Sequence, residues 1–157
     1  MVEKTNAMRK LDSLKIPYRA HTYSADITNG LEVATALGEN PKQVFKTLVT
    51  VAKSGNHYVY MLPVGEELDL KKAAAAVGEK AVDMLKSKDL LGLTGYIHGG
   101  CSPIGMKKFF RTTIHQSSVN FATIVFSGGR RGLQIELSLA DLAKVIKYDL
   151  ADIVVKN

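Results

Sequence analysis

The run Gly99-Gly100-Cys101-Ser102-Pro103, continued by Ile104-Gly105 and then Lys107 and Lys108, gathers conformational specialists around a thiol and a hydroxyl. Glycine has no Cβ, so it reaches positive φ and lets backbone N–H groups turn toward a ligand. Pro103 fixes φ and stiffens the chain that follows. Such a loop suits close approach to a carbonyl or phosphate oxygen, and the same spacing also fits a tight chain reversal. Lys46 is the second candidate, set at the head of the apolar, β-favouring run Thr47-Leu48-Val49. A lysine there either brings positive charge to a site or lays its stem over apolar strand surface.

Other chemistries are poorly served. The sequence has no HExxH, no paired-cysteine cluster and no Walker loop, so neither a metal site nor an NTPase is signalled. No Gly-x-Ser-x-Gly elbow precedes a helix, and nothing in sequence supplies Ser102 with an adjacent base. Cys101 is the lone thiol, with His98 three residues away. A Cys/His nucleophile needs a base in reach and a lowered pKa, and proximity along the chain provides neither. Cys101 reads as a small apolar filler.

The elements that must carry these residues are legible in outline. Thr5 is placed to cap a first helix whose Met8, Leu11 and Leu14 share a face, with Pro17 beyond its end. Residues 18–23 read as a strand. A helix over 30–37 carries Leu31, Ala34 and Leu37 on one face and stops at Gly38. Pro41 suits the first turn of a short helix leading to Lys46. Residues 47–52 and 58–64 form a predicted hairpin about Ser54-Gly55-Asn56. Asp69 caps a helix ended by Gly78, and a short strand over 82–84 precedes a helix over 88–91. A strand over 112–115 follows, then a second hairpin, 121–126 with 133–137, around Gly128-Gly129. Ser138 caps a final helix containing Leu139, Leu142, Ala143 and Ile146. Hairpins interspersed with helices predict an α+β fold with a mainly antiparallel or mixed sheet.

The chain of 157 residues fits one domain, residues 1–157, without linker, repeat or low-complexity segment. Hydrophobic residues at 46% and charged residues at 23% are ordinary for a globular protein. No apolar run approaches the roughly 20 residues of a membrane span. The opening residues lead into polar helical sequence rather than the apolar core of a signal peptide. One cysteine forbids an internal disulfide, so a cytoplasmic location is expected. A net charge of +6 is compatible with a nucleic-acid partner.

Taken together, Phe45-Lys46-Thr47-Leu48-Val49 and Gly99-x-x-x-Pro103 resemble the YbaK/EbsC family of prolyl-tRNA editing proteins. Further matches are Lys4-Thr5-Asn6-Ala7, His21-Thr22-Tyr23, Leu68-Asp69-Leu70-Lys71-Lys72, Thr94-Gly95-Tyr96 and Ser127-Gly128-Gly129-Arg130-Arg131-Gly132, so the resemblance runs nearly end to end. It implies a curved, barrel-like mixed β-sheet with helices outside. It also implies a trans-editing deacylase that hydrolyses cysteine mischarged onto proline tRNA, with no cofactor and no metal. In that chemistry the substrate's own thiol attacks its own carbonyl, and the protein needs no nucleophile.

The resemblance assigns the loop of Gly99, Gly100, Cys101, Ser102 and Pro103 to positioning the ester carbonyl and offering backbone donors to its developing charge. Lys46 is assigned to the terminal adenosine's phosphate or the region of the scissile ester, with Thr47 beside it. Tyr23 matches a strand tyrosine that orients the ribose or the amino group; a core tyrosine with a satisfied hydroxyl is the alternative. Ser127 and Gly128 lie on a family-like turn. Gln134 stands where members with cysteine activity can carry an aspartate, and Thr28-Asn29-Gly30-Leu31 lacks an aromatic residue after the asparagine. Gln134 holds no negative charge toward an α-ammonium group. Lys107, Lys108, Arg111, Arg130 and Arg131 are candidates for the tRNA backbone or ordinary solvated charges. The implied partners are the acceptor end of tRNA(Pro) and prolyl-tRNA synthetase, with no membrane. Two rival functions keep the fold: a deacylase for Ala-tRNA(Pro) or another aminoacyl-tRNA, and a non-catalytic module that binds a tRNA end or nucleotide.

Overall fold

A computed structural model describes residues 3–156. Helix α1 (Asn6–Ser13) is capped by Thr5, whose hydroxyl accepts from the Met8 N–H at 3.2 Å and so satisfies one of the orphan donors of the first turn. Its buried face is Ala7, Met8 and Leu11. Leu14, expected on that face, is 45% exposed, because the helix ends at Ser13 and the chain swings away at Lys15 (φ 57). Helix α2 (Gly30–Leu37) starts at Asn29 and ends on left-handed Gly38. It buries Val33 and Ala34 rather than Leu31, which lies over Gly65 at the surface. The region after Pro41 is a turn, not a helix, and it delivers the chain straight into strand β2.

Strands β2 (Phe45–Ala52) and β3 (His57–Pro63) form the expected hairpin, with Lys46 opposite Leu62 and Thr47 opposite Met61. β2 thus begins two residues earlier than predicted and carries Lys46 within it. Helix α3 (Leu70–Val77), capped by Asp69, covers one face of this hairpin. Strand β4 (Val82–Met84) adds to the β2 edge; helix α4 (Ser87–Thr94) follows, extending beyond the predicted 88–91. Strand β5 (Thr112–His115) pairs parallel to β3, and β8 (Tyr148–Ala151) pairs parallel to β5. β8 has no predicted counterpart, and the final helix α5 (Leu139–Leu142) is shorter than expected because the chain leaves it to reach that strand.

A second sheet has the order β1-β7-β6, with β1 (Arg19–Thr22), β6 (Ile124–Arg130) and β7 (Leu133–Leu137) all antiparallel. The predicted reversal at Gly128-Gly129 lies inside β6 instead. The register shifts between Ser127 and Arg130, and the turn falls at Arg131 and Gly132. Gly128 serves packing there: a Cβ would meet Leu133 Cγ at 2.8 Å. The five-stranded sheet, β4-β2-β3-β5-β8, and the three-stranded sheet meet at a parallel bridge, Val44 to Val125.

This is a mixed α+β fold of two joined sheets, and among the described residues neither sheet closes into the barrel the resemblance suggested. Phe45, Met61 and Ile114 from one sheet pack against Ile124, Phe126 and Ile135 from the other, with Leu11 of α1 sealing the cluster. β3 is buried on both faces, so Tyr60 and Leu62 meet α3 while Met61 meets the core between the sheets. That double cover makes the β2–β3 hairpin a rigid mount for the residues on its edge.

Candidate active site

Lys46 and the glycine loop come together at a cavity of about 310 Å³. β2 contributes Phe45, Lys46, Thr47 and Leu48; the three-stranded sheet contributes Ser127 and Gln134, with Tyr23 just beyond the end of β1; the loop contributes His98, Gly99 and Cys101. Gln134 faces both His21 and Ser127 across its sheet, so register places it on the cavity floor. Sequence reasoning did not select Val33, Val64 or Leu90 for the site, and named Thr28 only within the segment Thr28-Asn29-Gly30-Leu31; all four also line the walls. They are ordinary helix, turn and loop residues locally, and only tertiary packing brings them here.

The loop has a specific construction. Gly100 N–H donates to the Ile97 carbonyl at 3.0 Å, closing a turn in which Gly99 takes φ +83, the value a turn of this kind demands at its third residue. The loop is therefore both of the things its composition allowed, a reversal and a cavity wall. Arg131 Nε donates to the His98 carbonyl at 2.9 Å and ties the turn to the β6–β7 reversal. At Gly100 a Cβ would lie 2.9 Å from Arg130 Cα and 3.0 Å from Arg131 N, so only glycine permits this contact. Among the described residues the N–H groups of Gly99 and Cys101 have no hydrogen-bond partner, which leaves them available to an oxyanion.

Burial sets the electrostatics of the two titratable side chains singled out here, Lys46 and Cys101. Burial lowers the pKa of Lys46, opposed by the charges of Glu67 and Glu66. Among the described residues Lys46 makes no ion pair. Burial pushes the Cys101 thiol up to about 12, partly countered by a hydrogen bond with Thr94, so it stays protonated at neutral pH. Its packing among Val49, Val59, Tyr96 and Phe110 agrees with the apolar-filler reading. Ser102 is fully buried, and its hydroxyl accepts from the Ile104 N–H at 3.3 Å. Cys101→Ala is expected to leave kcat within about twofold and to cost about 1 kcal/mol of stability from the small cavity it creates, read by thermal denaturation.

Two buried polar atoms on cavity residues are unpartnered: Gln134 Oε1 and Thr47 Oγ1. Leaving such atoms unsatisfied costs about 1–3 kcal/mol each, a cost that a polar substrate group can relieve. Gln134 Nε2 reaches the Tyr23 hydroxyl at 3.5 Å, a long contact between two residues that line the cavity.

Other sequence-selected residues lie elsewhere. Gly100, Ser102 and Gly128 support the site from behind, and Pro103 faces a second cavity. The basic candidates do not form one patch. Arg111 pairs with Asp149, Lys107 Nζ donates to the Gly92 carbonyl, Lys108 lies over the Phe110 ring, and Arg131 is committed to the loop. Arg130 borders a separate hollow with Lys4 and Arg9.

Residues 26–145 match the aminoacyl-tRNA editing domain family. The chain belongs to this family. A curated relative of the editing domain is EbsC of Enterococcus faecalis, provisionally named a Cys-tRNA(Pro)/Cys-tRNA(Cys) deacylase. It is 44% identical over 157 residues, spanning 99% of this chain and 96% of the relative. The fold matches the crystal structure of a provisional trans-editing enzyme for prolyl-tRNA synthetase with a TM-score of 0.85 at 21% identity, covering 99% of this chain and all of that one. A hypothetical protein of known structure matches with a TM-score of 0.87 at 19% identity, over 96% of this chain and all of its own. Among the described residues no helix is long and apolar enough to cross a membrane.

Proposed function

We propose that this chain is a trans-editing deacylase that removes cysteine mischarged onto tRNA(Pro), acting as one editing domain over residues 1–157 in the cytoplasm. The observation that carries the reading is the cavity that joins Lys46, which makes no ion pair among the described residues, to the Gly99 turn, with the Cys101 thiol kept protonated by burial. The name of the 44% identical relative supports the same substrate.

On this reading the terminal adenosine lies against β2, where the Lys46 ammonium meets its phosphate or the ester region. The ester carbonyl faces the N–H groups of Gly99 and Cys101. The substrate's α-ammonium group lies toward Gln134 and the Tyr23 hydroxyl, Gln134 being a neutral amide in place of a carboxylate. The substrate sulfur attacks its own carbonyl carbon and the carbon–oxygen bond to the ribose breaks. The thiol proton ends on the released ribose hydroxyl. A thiol is a few per cent ionised at neutral pH and is held beside the carbonyl, so pre-positioning supplies most of the rate. Prolyl-tRNA synthetase is the natural partner, since a pocket shaped for proline discriminates against small apolar competitors by only ~1–3 kcal/mol and needs a second sieve.

The deciding experiment compares release of labelled amino acid from Cys-tRNA(Pro) and Ala-tRNA(Pro) by the same preparation. Rapid release of cysteine with alanine retained is the expected result. Release of alanine at a similar rate would keep the deacylase and overturn the substrate-thiol step. Release of neither, with saturable binding of the RNA, would make the chain a non-catalytic binding module.

A further inference from the structure

The loop has a second cavity on its other side, about 490 Å³ in volume. Cys101 lines the first cavity and Pro103 the second, two residues apart and so within about 7 Å along the chain. The second cavity has an apolar floor that includes Ile104 and Phe110, and its rim bears Lys10, Lys108 and Lys147. No carboxylate lines it, and among the described residues none of these lysines makes an ion pair. Phe110 is anchored in the cluster of Val49, Val59 and Tyr96, whereas Phe109 beside it is 55% exposed. The three lysines come from α1, the segment after the loop and the segment before β8, elements far apart in sequence that converge here.

We propose that this second cavity holds an unpaired nucleotide of the substrate's acceptor strand, its base stacked on Phe109 and its phosphates against Lys10, Lys108 and Lys147. The inference rests on seating the terminal adenosine in the first cavity. An aromatic face flanked by unpaired lysines is the arrangement that grips single-stranded RNA without reading its sequence. The shared loop wall lets one strand occupy both cavities. The site explains how a chain without a continuous basic patch holds more of its substrate than the terminal nucleotide.

Fluorescence anisotropy with two labelled RNAs, the mononucleotide AMP and the trinucleotide CCA, tests this. The trinucleotide is expected to bind about tenfold more tightly than the mononucleotide. Phe109→Ala should remove that advantage and leave the mononucleotide unaffected. Lys147→Ala should weaken the trinucleotide and reduce its salt slope by about 0.7. Equal affinity for the two lengths, or a trinucleotide indifferent to Phe109→Ala, overturns the proposal. So does a dimer that dissociates in Phe109→Ala with RNA binding unchanged, which would give the face to a second copy. Turnover of Cys-tRNA(Pro) reports on the first cavity separately. Length-dependent binding through Phe109 without ester cleavage would retain this site and remove the deacylase reading, and cleavage without length dependence would do the reverse.

Discussion

Lys46→Ala is expected to lower turnover of Cys-tRNA(Pro) by about 10²–10³-fold while the protein remains folded, the scale seen when one preorganised electrostatic contact is removed. The side chain is held in a half-buried position without a counter-ion pair, where a charge is worth more than in water. Holding it there has a cost in stability. A folded-state pKa below the ordinary lysine value means that folding disfavours the ammonium, so the penalty is present at neutral pH and is relieved as pH rises through the lowered value. Lys46→Met should therefore raise the melting temperature at pH 7, since it removes the group that burial penalises. Activity lost together with stability gained is the signature of a functional charge; a lysine that only covers strand surface would lose stability and keep its turnover. The wild-type rate should also fall on the alkaline side at a pH below that of a free lysine. Lys46→Arg should lack that decline, whatever its absolute rate, because the guanidinium does not titrate in that range.

Gly100→Ala is expected to damage both fold and activity. The new Cβ meets backbone atoms, Arg130 Cα at 2.9 Å and Arg130 C at 3.0 Å, which no rotamer change can move aside. Residues 97–103 must lift away from the β6–β7 reversal, at a cost of ~1–3 kcal/mol. A displacement of that kind moves the Gly99 and Cys101 N–H groups proposed to face the ester carbonyl, and misplacement by about 1 Å is enough to cost about 10²-fold in kcat/KM. Gly92→Ala is the matched control: its Cβ would meet nothing within 4 Å, and it lies inside α4. That change should stabilise the protein by up to about 1 kcal/mol and leave turnover untouched. Melting curves and steady-state rates on the two variants separate loop geometry from a general sensitivity to added methyl groups.

Local chemistry was readable directly from the residues. Thr5, Asp69 and Ser138 cap helices where expected, and Gly38 and Gly78 end them in the left-handed conformation, because each depends only on atoms within one turn of the chain. The β2–β3 hairpin was visible for the same reason, its strands being close in sequence. The errors follow from longer reach. Gly128-Gly129 has the composition of a turn, yet packing against Leu133 and Ile135 keeps Gly128 in a strand. β8 is short and carries an aspartate, so it becomes a strand only because β5 offers it a parallel partner.

The site divides in the same way. Legible in the residues alone were a lysine at the start of a strand, a glycine turn, and a thiol with no base beside it. Only the packing of distant segments sets the turn on the backbone of Arg130 and Arg131, brings Lys46, Tyr23 and Gln134 to one cavity, and leaves Phe109 exposed beside three lysines from separate segments. Caps and turns are settled by neighbours along the chain, whereas a cavity exists only where two sheets and their helices fail to fill the space between them.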